Sequence, residues 1–311
     1  MSKSYVQNIK EEIEEFKDKY RKGIYSIVND AKDAVAQALY EGFKMEEHEY
    51  EGNFQLLTQD LDKFLMLSYS TLEVKNQLLR QIPLWRNYLC REDEGKNKIS
   101  FFDKMIANSI YEVIRFYEKY REKVYQRSLN CLNKIKETSF SKKAKIQSHL
   151  NFQSVVLELL AWLFIDELEI YPKNELEQIG LKIDGAYKVA NLFNPWERIG
   201  YEFKNLLIEC KNYKEPNYRD MMQLFTYGLL LAYKKHISMP LGMIISRKNP
   251  DTNDTIWEVR GALRQKWLDF EVVFLDVDDL SEMVNRIKRN LDPAYIIKKK
   301  IKERETIWRQ K

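Results

Sequence analysis

The sequence predicts an α/β domain with its sheet held between helices, preceded by an all-α long-helix bundle or coiled coil. Three observations carry this expectation. Up to about Thr138, apolar residues recur at helical spacing with almost no glycine or proline. From Asn151 onward, short apolar runs alternate with amphipathic stretches, the texture of strands and helices in turn. Between them lies a basic, polar segment, SFSKKAKIQSH, at residues 139–149. The expected organisation is therefore a helical module at 1–138, a linker or hinge at 139–149, and a second domain at 150–311.

In the first half, Val6, Ile9, Ile13, Phe16, Tyr20, Ile24, Ile27, Ala31 and Val35 alternate spacings of three and four. That is the stripe of a long amphipathic or coiled-coil helix. Similar patterns run from about Phe54 to Tyr88 and from about Ser100 to Glu137, separated by HEYEGN and CREDEGKNK. Three long helices on short connections read as a bundle. The seam from Val6 to Val35 is long enough to be shared with a second copy, so a homo-oligomer formed through these helices is expected.

The second half opens with a helix at about Asn151 to Ile165. Strands are expected near Leu181–Ala190 and Glu202–Lys211, then a helix over Tyr218–Lys235. LGMIIS at 241–246 reads as a strand, IWEVRGALRQKW as a helix, FEVVFLDV as a strand and LSEMVNRIKRNL as a helix. The tail from Lys298 reads as a basic helix.

Composition bounds the function. With 311 residues, 32% charged and 44% hydrophobic, the chain can bury two cores beneath a highly charged surface. A net charge of +4 permits a nucleic-acid partner without arguing for one. Cys90, Cys131 and Cys210 are far apart and form no C-x-x-C pair, which argues against a disulfide framework or a zinc site. The longest apolar run, VVLELLAWLFI, is short and interrupted by Glu158, so neither a membrane span nor a signal peptide is expected. A cytoplasmic protein with no membrane partner fits these features.

The chemistry is concentrated in LLIECKNYKEP, from Leu206 to Pro216. Side chains at i and i+2 of a strand share a face, so Glu209 and Lys211 stand side by side while Cys210 faces away. E-x-K also occurs at Glu15-Lys17, Glu73-Lys75, Glu94-Lys96 and Glu202-Lys204. The first three of these lie in the helical half, and Glu202-Lys204 reads as the wet start of the same strand. Only Glu209-Lys211 follows a triple aliphatic run that buries the strand and leaves its end at an edge. Asp184 reads either as a turn aspartate before Gly185 or as a site residue, and the second is favoured because Ile183 and Tyr187 continue a strand through it, where an unpaired aspartate is unfavourable. Glu158 sits on an apolar helix and needs a partner or a metal there, a role that Glu167 or Glu169 could take instead. Gln223 and Tyr227 lie four apart, on one helix face, where they could contact substrate or simply form the margin of an amphipathic helix packed on the sheet.

The order of helix, strand with IDGAY, strand with IECKN, helix with QLFTY and strand with MIISR resembles the PD-(D/E)XK nuclease superfamily, and within it the Mrr-like restriction endonuclease domains. The resemblance covers roughly residues 150–277 and leaves out the N-terminal half. It implies a restriction-endonuclease-like core with a mixed central sheet. It implies that Asp184 and Glu209 hold magnesium at the scissile phosphate, with manganese able to substitute, and that Lys211 completes the catalytic set. Glu158 matches by position the glutamate that often precedes the strands, and Gln223 with Tyr227 matches the helical Q-x-x-x-Y motif. Asp184 follows isoleucine where the family name has proline.

Phosphodiester hydrolysis asks for these residue types in any case. A hard cation held by one or two carboxylates stabilises phosphate charge and activates water. The Cys210 carbonyl is a further candidate ligand. Lys211 could orient or deprotonate the attacking water or pair with developing phosphate charge. The resemblance favours DNA over RNA and, by analogy, a restriction or anti-phage defence effector with a partner protein. The competing classes are a nucleic-acid-binding or scaffold protein on an inactive nuclease fold, and a ribonuclease on the same fold.

Overall fold

A computed structural model describes residues 7–19, 22–23, 26, 96–138, 145–165, 167–189, 203–212, 215–250, 255–266, 270–289 and 291–309. The expected second helix, Phe54 to Tyr88, and Glu202 lie outside these residues. The chain divides into two compact units, Glu14–Lys123 and, separately, Met1–Ile13 with Val124–Lys311.

Residues 7–19 are helical. Helix α1, Lys96–Glu137, begins slightly earlier than its apolar periodicity suggests. Within the smaller unit, Phe16 stacks on Tyr120 with ring centroids 5.3 Å apart. Within the larger unit, Ile9 and Ile13 are buried and Glu12 pairs with Arg127 at 2.8 Å.

Helix α2, Lys145–Leu163, starts six residues before the expected Asn151 and takes the end of the predicted linker into the helix. Its sequence is apolar almost all round, and accordingly Val156, Leu157, Leu159, Leu160, Trp162 and Leu163 are all buried. Strand β1, Leu168–Ile170, and the short helix α3, Lys173–Gln178, follow. Neither was expected, because three and six residues are too few to show a period. Strand β2 is Gly185–Val189, shorter than the expected run from Leu181.

Strand β3, Asn205–Lys211, is buried along nearly its whole length. Full burial of Leu206, Leu207 and Ile208 contributes about 1.5–3 kcal/mol each. Helix α4, Tyr218–Lys235, opens on a capping box between Asn217 and Asp220 and closes at His236, whose φ of 52° is left-handed. Strand β4, Leu241–Ser246, helix α5, Thr255–Lys266, and strand β5, Val272–Leu275, come next. Helix α6, Val277–Lys288, has a capping box from Asp276 and Asp279, and α7 is Ala294–Arg309.

The sheet order is β1-β2-β3-β4-β5. β1 to β3 are antiparallel neighbours, whereas β3 to β5 run parallel because α4 and α5 carry the chain back between them. This is an α/β fold with a mixed five-stranded sheet flanked by helices. On one face Leu207, Ala186, Ile244 and Phe274 pack with Met221, Leu224 and Phe225 of α4 and with Ile256 and Trp257 of α5. On the other, α2 lies against β3, and the Tyr187 hydroxyl of the neighbouring β2 donates to the Leu157 carbonyl at 2.7 Å. Gly185 permits this approach, since a Cβ there would stand 2.3 Å from a Leu157 methyl. No helix among the described residues is long and apolar enough to cross a membrane.

Candidate active site

β3 delivers the site because it is central and its last residues emerge at the carboxyl end of the parallel strands, where open α/β sheets place their crevices. β2 runs the opposite way, so its start meets the end of β3. The pairing Gly185↔Ile208, continued by one step, sets Asp184 across from Glu209. Gly185 and Tyr187 face α2 and Ala186 faces α4, so Glu209 and Lys211 share the α4 face with Leu207, and Asp184 stands in the bend that leads into β2.

Hydrogen bonds hold this end together. The Cys210 amide donates to Asp184 Oδ2 at 2.7 Å, fixing the aspartate against the backbone of β3. Lys211 Nζ donates to Glu209 Oε1 at 2.7 Å and stands 3.2 Å from Asp220 Oδ1 at the start of α4. The Asn217 amide donates to Asp220 Oδ2 at 2.9 Å. The site is sheltered, with Glu209 5% exposed and Asp220 6% exposed.

Like charges set directly across a strand pair destabilise it, and burial makes the conflict worse. Burial, then the Asp184 charge, push the Glu209 carboxyl up to about 7, against the opposing pull of Lys211. For Lys211, burial favours the neutral amine, but the hydrogen bond and charge of Glu209 and the charge of Asp220 outweigh it and raise the ammonium pKa. Two carboxylates thus surround the ammonium.

Glu209 Oε2 is buried and has no hydrogen-bond partner. A buried carboxylate oxygen left unpaired beside a second carboxylate is the arrangement a hard cation relieves. The oxygens of Asp184 and Glu209 thus fit a magnesium-type ion that keeps most of its waters. A richer cage is absent: among the described residues no group of three or more histidine, cysteine, aspartate or glutamate side chains is arranged to hold a metal.

Asp184, Glu209 and Lys211 are therefore brought together. Cys210 sends its side chain into the core, where burial raises its thiol pKa, and its backbone N–H supports Asp184. Gln223 Nε2 donates to the Tyr227 hydroxyl at 3.1 Å on α4, one turn beyond Asp220. Glu158 departs from expectation. Its helix covers the opposite face of β3, and its carboxylate pairs with the Cys131 thiol of α1. Asp184, Lys211 and Asp220 are charged groups that act on Glu209. Glu169 lies on β1 opposite Lys188, with β2 between it and β3.

Two residues at the site were not anticipated. Asp220 looks in sequence like an ordinary first-turn helix acid, and only the fold sets it beside Lys211. Gln153 Nε2 donates to the Asp184 carbonyl at 3.2 Å, so α2 touches the site through Gln153, five residues before Glu158. Comparison of the chain with protein-family models, with curated proteins and with solved structures found no match.

Proposed function

We propose that this chain is a magnesium-dependent nuclease that hydrolyses phosphodiester bonds, with manganese able to replace magnesium and DNA favoured over RNA. The observation that carries the reading is the meeting of Asp184 and Glu209 across β2 and β3, with a buried, unpartnered Glu209 oxygen and Lys211 beside it. Glu209 is buried and Asp184 half-buried, and even with Lys211 and the Cys210 amide as partners the Asp184 charge opposes that of Glu209, a conflict that a cation between them would relieve. The mixed sheet is compatible with a restriction-endonuclease-like core. The resemblance of IDGAY, IECKN and QLFTY to that superfamily points the same way and extends the reading to a restriction or anti-phage defence effector.

Asp184 and Glu209 would hold the cation, with the Cys210 carbonyl as a further oxygen ligand. A bound divalent ion supplies charge stabilisation at the phosphate and an acidified water. Lys211 brings a fixed positive charge to the same edge, where it orients water or meets the charge that develops on the phosphate. Gln223 and Tyr227, braced against each other, offer an amide and a hydroxyl for the substrate backbone. The test is incubation of the full chain with single- and double-stranded DNA and RNA, in magnesium or chelator. Magnesium-dependent cleavage of at least one substrate is expected. Binding without cleavage under all conditions would instead indicate a nucleic-acid-binding protein on an inactive nuclease fold.

A further inference from the structure

The Lys211 ammonium has two carboxylate partners, and they are not equivalent. Glu209 offers Oε1 at 2.7 Å, but its other oxygen is the unpartnered one that suits a cation. Asp220 offers Oδ1 at 3.2 Å, while its Oδ2 is engaged by the Asn217 amide. That second bond belongs to the capping box of α4, which fixes the carboxylate at the helix N-terminus, where a negative charge is favoured. A lysine ammonium has three donors, so it can serve both carboxylates and keep one N–H for water or phosphate.

From this geometry we infer that Asp220 is the positioning residue for Lys211. The inference rests on the nuclease reading of the site. A cation held through Glu209 Oε2 would weaken the charge that Oε1 offers Lys211, and Asp220, anchored to α4 and not to β3, would keep Nζ at the site edge. Asp220 does not touch the reacting atoms. It acts on where the lysine stands, and it ties that position to the helix that carries Gln223 and Tyr227.

The test compares Asp220→Asn, Asp220→Glu, Asn217→Ala, Lys211→Met and the double variant Asp220→Asn/Lys211→Met, each checked for folding by its melting curve. Misplacing a catalytic group by about 1 Å can cost about a hundredfold, so Asp220→Asn should lower kcat by roughly ten- to a hundredfold while KM for DNA holds. Asp220→Glu should recover part of that loss, and the double variant should be no slower than Lys211→Met alone. Asn217→Ala removes the other half of the cap but keeps the backbone N–H that holds Asp220, and it should retain wild-type kcat. If Asn217→Ala loses as much kcat as Asp220→Asn, or Asp220→Asn raises KM with kcat unchanged, the positioning role is overturned and the nuclease reading stands. A wild-type chain that cleaves no nucleic acid overturns both.

Discussion

Glu209 combines a buried carboxyl, a facing Asp184 and an attached Lys211, and its protonation follows from their balance. Its folded pKa of about 7 lies above the ordinary carboxylate range, so the folded state holds this proton more tightly than the unfolded chain. The resulting stabilisation is complete below the unfolded pKa and is lost as pH rises through about 7. Without divalent ions, the melting temperature of the wild type should therefore fall relative to Glu209→Gln between pH 5 and pH 8. Magnesium should raise the wild-type melting temperature more at pH 8 than at pH 5, because the ligands must be deprotonated to bind it. Glu209 and Lys211 were legible in the sequence because the strand period of two decides which side chains share a face. The placement of Glu158 was not legible for the matching reason: on a helix apolar nearly all round, nothing in the sequence shows that Leu157 faces the sheet and Glu158 meets Cys131 of α1.

At the scale of elements, Arg247, just past the end of β4, joins the site to the long helix. Its Nε donates to Asn212, the residue after Lys211, at 2.9 Å. Its Nη1 donates to the Ile135 carbonyl at 2.8 Å, its Nη2 donates to the Thr138 carbonyl, and the guanidinium lies over Phe152 at 4.8 Å. The carbonyls at the end of α1, which no helix can satisfy internally, are thus capped by a side chain from the sheet. Hydrogen bonds to a charged group contribute about 1.5–3 kcal/mol, so Arg247→Ala should destabilise the larger unit by about that amount. Arg247→Lys should recover little of it, since one ammonium cannot span these acceptors in the plane of a guanidinium. Thermal melting gives the loss, and faster amide exchange in the last turn of α1 locates it. The alternation of strands and helices was legible in the sequence, but this long-range cap was not, because it joins residues more than a hundred positions apart. Strand direction was equally hidden from the alternation itself, which does not distinguish a crossover through a helix from a reversal.

For the molecule as a whole, the N-terminal stripe raises the question of what covers it. Ile9 and Ile13 are buried within the single chain, and Phe16 lies on Tyr120, so these positions offer little apolar surface to a second copy. The expectation of a shared seam therefore weakens at its first turns, while the continuation from Tyr20 to Val35 falls almost entirely outside the described residues. Ile13→Ala should cost about 2–5 kcal/mol through the cavity it opens, with the mass from light scattering unchanged on dilution. Dissociation of an assembly by Ile13→Ala with an unaltered melting temperature would mean that Ile13 is instead an intermolecular contact.

The central claim is that Asp184 and Glu209 form one cation site for phosphodiester hydrolysis, and cleavage of duplex DNA in magnesium by purified Asp184→Asn and Glu209→Gln, beside wild type, tests it most directly. An amide keeps the shape of the carboxylate but cannot offset the charge of a cation. Each substitution should therefore abolish cleavage and weaken magnesium binding while leaving the fold intact, and Glu169→Gln, on β1, should cut like wild type. Full activity in either Asp184→Asn or Glu209→Gln would contradict the claim.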